Sequence, residues 1–413
     1  MMVWERRLQR HLREHVLGYA FAAVLLLGAF IRYSSLPQMA ADLKYMNLSW
    51  YTAIKQGGMA AVLAPDLQWT YSPLHLYLWA LAARCFPAAD SVLVLKAVSL
   101  VMEAGLVVFT CLLAGWVLPR PRRPLGLFAV FTLLWLNPVL ILNASAWGQT
   151  DTSYAALSVL SLWLLLQNKP GWAMTSFGLA MAFKLQAVFL LPVLLIAWFC
   201  REKKFSLLWF LLVPAVWVAT GVPMALLGES PFYSVTVYLG QTGMYTKPTF
   251  NCPNLFALLG DALTGKQLVQ GLWQRMGLVL AMGSLGSMAA WLIYRRRALG
   301  AQTMLLLGAW CVLACIFFLP RMHERYGMVG DVLLMVWAVM LAKPRGFAWV
   351  LLGMLPTLSA YCEYLFGAPI FSLQFGAVLN LLLLGALTWE LVREAAASPA
   401  LPQEQDGTLS VAA

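Results

Sequence analysis

Charge is what this sequence has least of. Asp, Glu, Lys and Arg together make up 11% of its 413 residues, far below the roughly one quarter usual in soluble domains. That scarcity excludes a soluble domain of any size. Histidine is rarer still, with four residues, and the seven cysteines are scattered, several of them (Cys111, Cys311, Cys315) inside apolar runs, with no CxxC or Cys/His spacing. No disulfide framework, structural zinc or other cofactor is predicted, and a divalent metal at a carboxylate site is the one cofactor left open. The net charge of +11 is spread as short basic clusters between apolar runs, not gathered on one stretch. Such clusters are topology signals, and nucleic acid is not an expected partner.

What is abundant is apolar surface, with 62% hydrophobic residues. Runs of about 20 apolar residues recur along the chain, each long enough as a helix to cross roughly 30 Å of hydrocarbon. The runs are continuous and not alternating, so the fold class is all-α, a polytopic integral membrane helical bundle of roughly 11–13 segments. One membrane domain is expected over residues 1–392. The polar, proline-punctuated remainder, 393–413, is expected to be a disordered cytoplasmic tail.

The basic segment Trp4–His15 is expected on the cytoplasmic surface, leading into a retained first membrane helix at Val16–Tyr33. Residues 34–68 form the first long polar stretch. There Leu43, Met46, Trp50 and Ile54 fall at helical spacing, predicting an amphipathic helix within an external loop. Residues 228–270 form a second long external loop. Arg120, Arg122 and Arg123 belong inside by the charge rule, yet counting every apolar run as a crossing puts them outside. Either Pro73–Phe86 does not cross, or the run Ser91–Leu118 is broken near Glu103–Gly105.

Few charges are left once the topology signals are set aside. Asp42, Asp66, Asp151, Lys184, Lys247, Arg321, His323, Glu324 and Arg325 all fall at the external face or just below it. Within Asn137–Tyr154 an apolar run ends abruptly in Trp147, Gly148, Gln149, Thr150 and Asp151, where a carboxylate is costly and usually marks a site. The set joins carboxylates suited to taking a proton with cations suited to holding a phosphate. Lys184 and Gln186 point about 200° apart on a regular helix, so they share a site only if the segment is unwound. Lys96 and Glu103, seven apart on one helical face, are expected to pair. His75 is read as a packing residue.

The ordered series Asp42…Trp50, Tyr71-Ser72-Pro73-Leu74, Asn137-Pro138, Gly148-Gln149-Thr150-Asp151, Lys184-Leu185-Gln186, Asn254 to Gly260 and His323-Glu324-Arg325-Tyr326 resembles the GT-C class of membrane glycosyltransferases. It is most similar to bacterial mannosyltransferase-like proteins related to the GPI mannosyltransferases. The resemblance implies transfer of a hexose, mannose favoured, from a polyprenyl-phosphate donor to an extracytoplasmic hydroxyl of a glycan, lipid or protein acceptor, with inversion. It implies Asp42 as the catalytic base; the class often carries two acids there, and this chain has one, followed by Lys44. Arg325, Lys184 and His323 become the donor-phosphate residues. Asp151, Gln149, Gln186, Glu324, Tyr326, Asn254, Trp147 and Trp50 become sugar or acceptor contacts, the two tryptophans by stacking on a sugar or by lining the isoprenoid groove; for Asp151 the alternatives are holding a cation and a structural ion pair with Lys184 inside the bundle. The expected location is a bacterial plasma membrane, with both termini cytoplasmic and the active site external. The alternatives are a lipid or glycolipid transporter or flippase, and a non-catalytic subunit of a glycan-assembly complex.

Overall fold

The computed structural model describes residues 2–63, 69–240, 247–264 and 267–401; Asp66 lies outside them. The first helix, α1 (Val3–Ser35), is continuous. Trp4–His15 is therefore its first part, not a separate surface helix, because no proline interrupts the run. A π-turn at Leu43–Asn47 leads into α2 (Leu48–Gly57), followed by a 3₁₀ turn at Gly58–Leu63. Leu43, Trp50 and Ile54 are buried as the spacing predicts, while Met46 faces a cavity.

Helix α3 (Pro73–Cys85) has proline in its first turn, where the missing N–H costs nothing. Its 13 residues span about 20 Å, short of the roughly 30 Å of hydrocarbon. Just beyond it, the Ala89 carbonyl accepts from Lys55 of α2 at 3.0 Å. Helix α4 (Ser91–Val117) is unbroken, its start capped by Asp90, which accepts from the Leu93 N–H at 2.9 Å. Helix α4 is unbroken and the loop after α3 returns to α2, so both ends of α3 lie on the side where α4 begins, the arrangement the charge rule asks for at Arg120–Arg123.

Helices α5 (Arg123–Trp135) and α6 (Pro138–Ile141) meet at a 46° bend. Asn137 makes that bend, its Oδ1 accepting from the N–H groups of Val139 and Leu140. After α7 (Asp151–Leu166) and α8 (Pro170–Phe183), Lys184 is extended (φ −159°, ψ 131°) before a 3₁₀ segment and α9 (Leu191–Cys200). Then come α10 (Leu212–Ala219), α11 (Val222–Ala225), α12 (Tyr233–Gly240), α13 (Leu255–Thr264) and α14 (Gln267–Tyr294). The chain ends with α15 (Ala301–Phe318), α16 (Met328–Leu341), α17 (Pro344–Phe366) and α18 (Leu373–Ala397). Residues 393–397, expected in the tail, instead finish α18; residues 402–413 lie outside the described residues. The short strands β1 (Thr249–Phe250) and β2 (Met322–His323) pair in parallel.

Seven of the described helices, or eight with the bent pair, are long and apolar enough to cross a membrane, and three shorter apolar helices accompany them. Helix α15 is central, with 83% of its apolar window buried against 11% for α1. It packs on α16 and α18, while α4 packs on α7 and α7 on α8. Following the chain through α4 to α9 sorts the loops to two ends. One holds Asp42, Trp147, Asp151 and Lys184. The other holds Arg120, Lys169 and Arg201, whose guanidinium donates to the Leu165 carbonyl and to Asn168.

Two side chains on α4 depart from expectation. Glu103 pairs with Arg32 of α1, and not with Lys96. Lys96 instead donates to three backbone carbonyls, those of Leu36 (2.6 Å), Gln38 and Ala146 (3.0 Å). Sharing a helical face permits contact, but each group found better-placed partners from other segments. Lys96 thereby ties the approach to Asp42 to the approach to Trp147.

Candidate active site

A cavity of about 370 Å³ opens among the loops at one end of the bundle. Asp42, Asn47 and Trp50 form one wall, Tyr71, Ser72 and His75 a second, Lys184 and Gln186 a third, and Lys247 with His323–Tyr326 a fourth. The sequence puts these residues on breaks in helices: the π-turn after Asp42, the proline start of α3, the unwound Lys184 and the turn before α16. Backbone irregularity at membrane depth is tolerated where it lines a cavity.

The Asp42 carboxylate is held by three donors. Its Oδ1 accepts from its neighbour's backbone N–H (Leu43, 2.9 Å) and from the Trp147 indole N–H (2.6 Å). Its Oδ2 accepts from the Gln149 side-chain amide. The turn that delivers Trp147 and Gln149 depends on Gly148, which adopts φ +73° with Lys96 and Leu43 packed against it. A left-handed residue there is strained unless it is glycine.

Facing Asp42 is a cluster of opposite charges. Asp151 is fully buried and pairs with Lys184 and with Arg325 Nε at 3.4 Å, and it also accepts from Asn143 at 3.1 Å. Arg325 further contacts Glu324 at 3.2 Å and lies over the Trp147 ring, 5.1 Å from its centroid. Burial pushes the Glu324 carboxyl up to about 7 against the pull of Arg325. Burial, with Arg325 and then Lys184, drives the His323 imidazole down to about 2, so this histidine is neutral. It stacks on Phe250 at 4.8 Å.

The sequence-read residues therefore divide. Asp42, Lys184, Gln186, His323, Glu324, Arg325, Tyr326 and Trp50 line one cavity, and the unwinding at Lys184 is what lets Gln186 join it. Four others are placed differently from the expected sugar contacts. Asp151 lies behind the wall as counter-ion to Lys184 and Arg325. Gln149 is buried and donates to Asp42. Trp147 is fully buried, stacked on Tyr364 at 4.3 Å, with no face free for a sugar. Asn254 caps α13, its Oδ1 accepting from Phe256 and Ala257 N–H groups at 3.1 and 3.2 Å. Asparagine directly before an apolar helical run carries that capping signal in the sequence. Trp50 lines the cavity but stacks on Trp69 at 5.7 Å. Sequence reasoning missed His75 as a wall residue and Lys96 as the tie beneath Asp42. Among the described residues, no three His, Cys, Asp or Glu side chains are grouped so as to hold a metal ion.

An all-helical membrane bundle with an acid-and-cation cavity among its end loops is the setting in which the sequence comparison falls. The model of glycosyltransferase family 87 matches residues 69–320, more than half of the chain, and the chain belongs to that family. It is thus an integral membrane glycosyltransferase, acting between a sugar donor and an acceptor. The matched stretch contains Tyr71, Asp151, Lys184 and Gln186; Asp42 and His323–Tyr326 lie outside it. No curated protein matches the sequence.

Proposed function

We propose that this glycosyltransferase moves a hexose, mannose favoured, from a polyprenyl-phosphate donor to a hydroxyl acceptor on the outer face of a bacterial plasma membrane. Asp42 acts as base and the transfer inverts the anomeric carbon. One observation carries the reading: Asp42 lies on one wall of a cavity whose other walls present Lys184 and Arg325.

The acceptor hydroxyl gives its proton to Asp42 as its oxygen attacks the anomeric carbon. The carbon–oxygen bond to phosphate breaks, and the polyprenyl phosphate leaves with the electron pair. A single displacement of this kind inverts configuration. A positioned base typically gives about 10²–10⁴-fold, and Trp147, Gln149 and the Leu43 N–H fix its orientation. The charge on the leaving phosphate is met by Arg325, able to grip two oxygens, and by Lys184. Burial holds the Glu324 carboxyl above the usual carboxylate range, so near neutral pH it offsets Arg325 less than an ordinary carboxylate would. Gln186, Tyr326 and His323 complete the walls around the sugar.

Orientation supports a lipid-linked donor. Arg120, Arg122, Arg123, Lys169, Arg201, Lys203 and Lys204 gather at the end opposite the cavity by the path of the chain, and the charge rule assigns that end to the cytoplasm. A cavity facing outward is out of reach of cytoplasmic nucleotide sugars. Purified protein given a polyprenyl-phosphate hexose and an acceptor tests the reading: wild type transfers and Asp42→Asn does not, whereas unimpaired transfer by Asp42→Asn refutes the assignment.

A further inference from the structure

One part of the cavity wall is neutral and unsatisfied. His75 lies in the first turn of α3, only 3% exposed, with its ring edge-on to Tyr71 (5.1 Å), Trp79 (5.1 Å) and Phe183 (6.2 Å). It lines the cavity, and its Nε2 is buried with no hydrogen-bond partner among the described residues. Gln186, on the unwound segment, lines the same cavity, and its Oε1 is likewise buried and unpartnered among the described residues. Buried polar atoms are normally paired, because an unmade bond costs the full desolvation of the group. His75 and Gln186, on adjoining walls of one cavity, are exceptions that mark a place where a ligand supplies the partners.

The chemistry of the two atoms narrows that ligand. The Gln186 Oε1 accepts only. Burial, with Lys184 as the next cause, lowers the His75 imidazole to about 3, so it is a neutral ring with one nitrogen donating and the other accepting. A phosphate suits neither an amide oxygen nor this aromatic enclosure, and a cation is repelled by Lys184. A hydroxyl group both donates and accepts, and fits both atoms.

We propose that His75 and Gln186 form the hydroxyl-reading subsite for the hexose ring of the donor, setting which sugar is accepted. This rests on the proposed lipid-phosphate donor: Lys184, two residues from Gln186, holds the phosphate and so brings the sugar attached to it against this wall. A site that pairs a substrate hydroxyl strongly rejects the analogue lacking it, because its own polar atoms are then left unpaired.

The test uses a polyprenyl-phosphate hexose and its four single-deoxy analogues, with wild type, His75→Phe and Gln186→Met. Transfer is measured, and equilibrium binding of the same lipids is followed separately by tryptophan fluorescence. Wild type is expected to discriminate against one or two analogues by about 10–100-fold. His75→Phe and Gln186→Met are expected to erase that discrimination, lowering the parent sugar to the level of the analogue and leaving the analogue unchanged. A uniform loss across all five sugars, or unchanged discrimination, overturns the subsite while leaving the proposed reaction standing. Hydroxyl discrimination in binding, lost in both variants, without transfer by wild type supports the subsite and removes the proposed reaction.

Discussion

The indole N–H of Trp147 donates to the carboxylate of Asp42 at 2.6 Å, across 105 residues of sequence. The same indole carries Arg325 over its face. One buried aromatic ring thus spaces the proposed base from the proposed phosphate-binding cation, and its placement rests on Gly148 and on Lys96 below. The chemistry is carried by loops, and the distance between its two halves is fixed by packing.

Removing the indole donor is the first consequence to check. Trp147→Phe keeps most of the packing against Tyr364 and loses the hydrogen bond to Asp42. A bond to a charged group is worth about 1.5–3 kcal/mol, so kcat for sugar transfer is expected to fall about 10–100-fold with donor KM little changed. An unchanged kcat in folded Trp147→Phe protein would show that Asp42 does not depend on this bond.

Asp151 is expected to behave as a buried counter-ion. Asp151→Asn leaves Lys184 and Arg325 facing each other without their shared carboxylate, a loss of about 3–5 kcal/mol for a broken buried pair. Thermal unfolding in detergent measures it. The double variant Asp151→Asn/Lys184→Met should recover part of the loss, since it removes the uncompensated charge with its partner. Additive losses would argue against the pairing.

Much of this was legible in the sequence, and the failures have a common cause. The bundle and the amphipathic helix after Asp42 follow from apolar runs and helical spacing, and the unwinding at Lys184 meets the condition set by the two-residue spacing of Lys184 and Gln186. The convergence of Asp42, Lys184 and Arg325 followed from scarcity, because charges with no topological duty were few. What was misread lies in the partners. Lys96 and Glu103 share a face of α4, but periodicity carries no information about Arg32 or the carbonyls of Leu36, Gln38 and Ala146. Trp147 and Gln149 donate to Asp42, a contact that is not legible in the sequence, which does not tell a ring that faces a substrate from one that faces a carboxylate.

Lys96→Met tests that tie. Three carbonyls lose a charged donor, and destabilisation of roughly 2–4 kcal/mol is expected, read by thermal unfolding. The surviving folded fraction should show a lowered kcat, because the loop before Asp42 and the turn before Trp147 are no longer joined. A normal kcat per folded molecule would mean the tie holds the fold only.

Glu324 gives the pH dependence its sign. Its folded-state value, about 7, lies above the ordinary carboxyl value of 4.5, so the folded protein holds this proton more tightly than the unfolded chain. Its neutral form therefore favours folding at low pH, and that contribution declines from about pH 4.5 and is lost as pH rises through about 7. The ionised group also offsets Arg325, so donor affinity should weaken over the same rise. Glu324→Gln is expected to flatten both profiles; profiles identical to wild type would assign the titration elsewhere.

The most direct measurement of the central claim is sugar transfer from synthetic polyprenyl-phosphate mannose and glucose by detergent-purified protein, wild type beside Asp42→Asn and Arg325→Ala. Wild type is expected to transfer with inverted anomeric configuration in the product, Asp42→Asn to lose about 10²-fold or more, and Arg325→Ala to lose most of its activity. Transfer by Asp42→Asn at the wild-type rate, or a product of retained configuration, would contradict it.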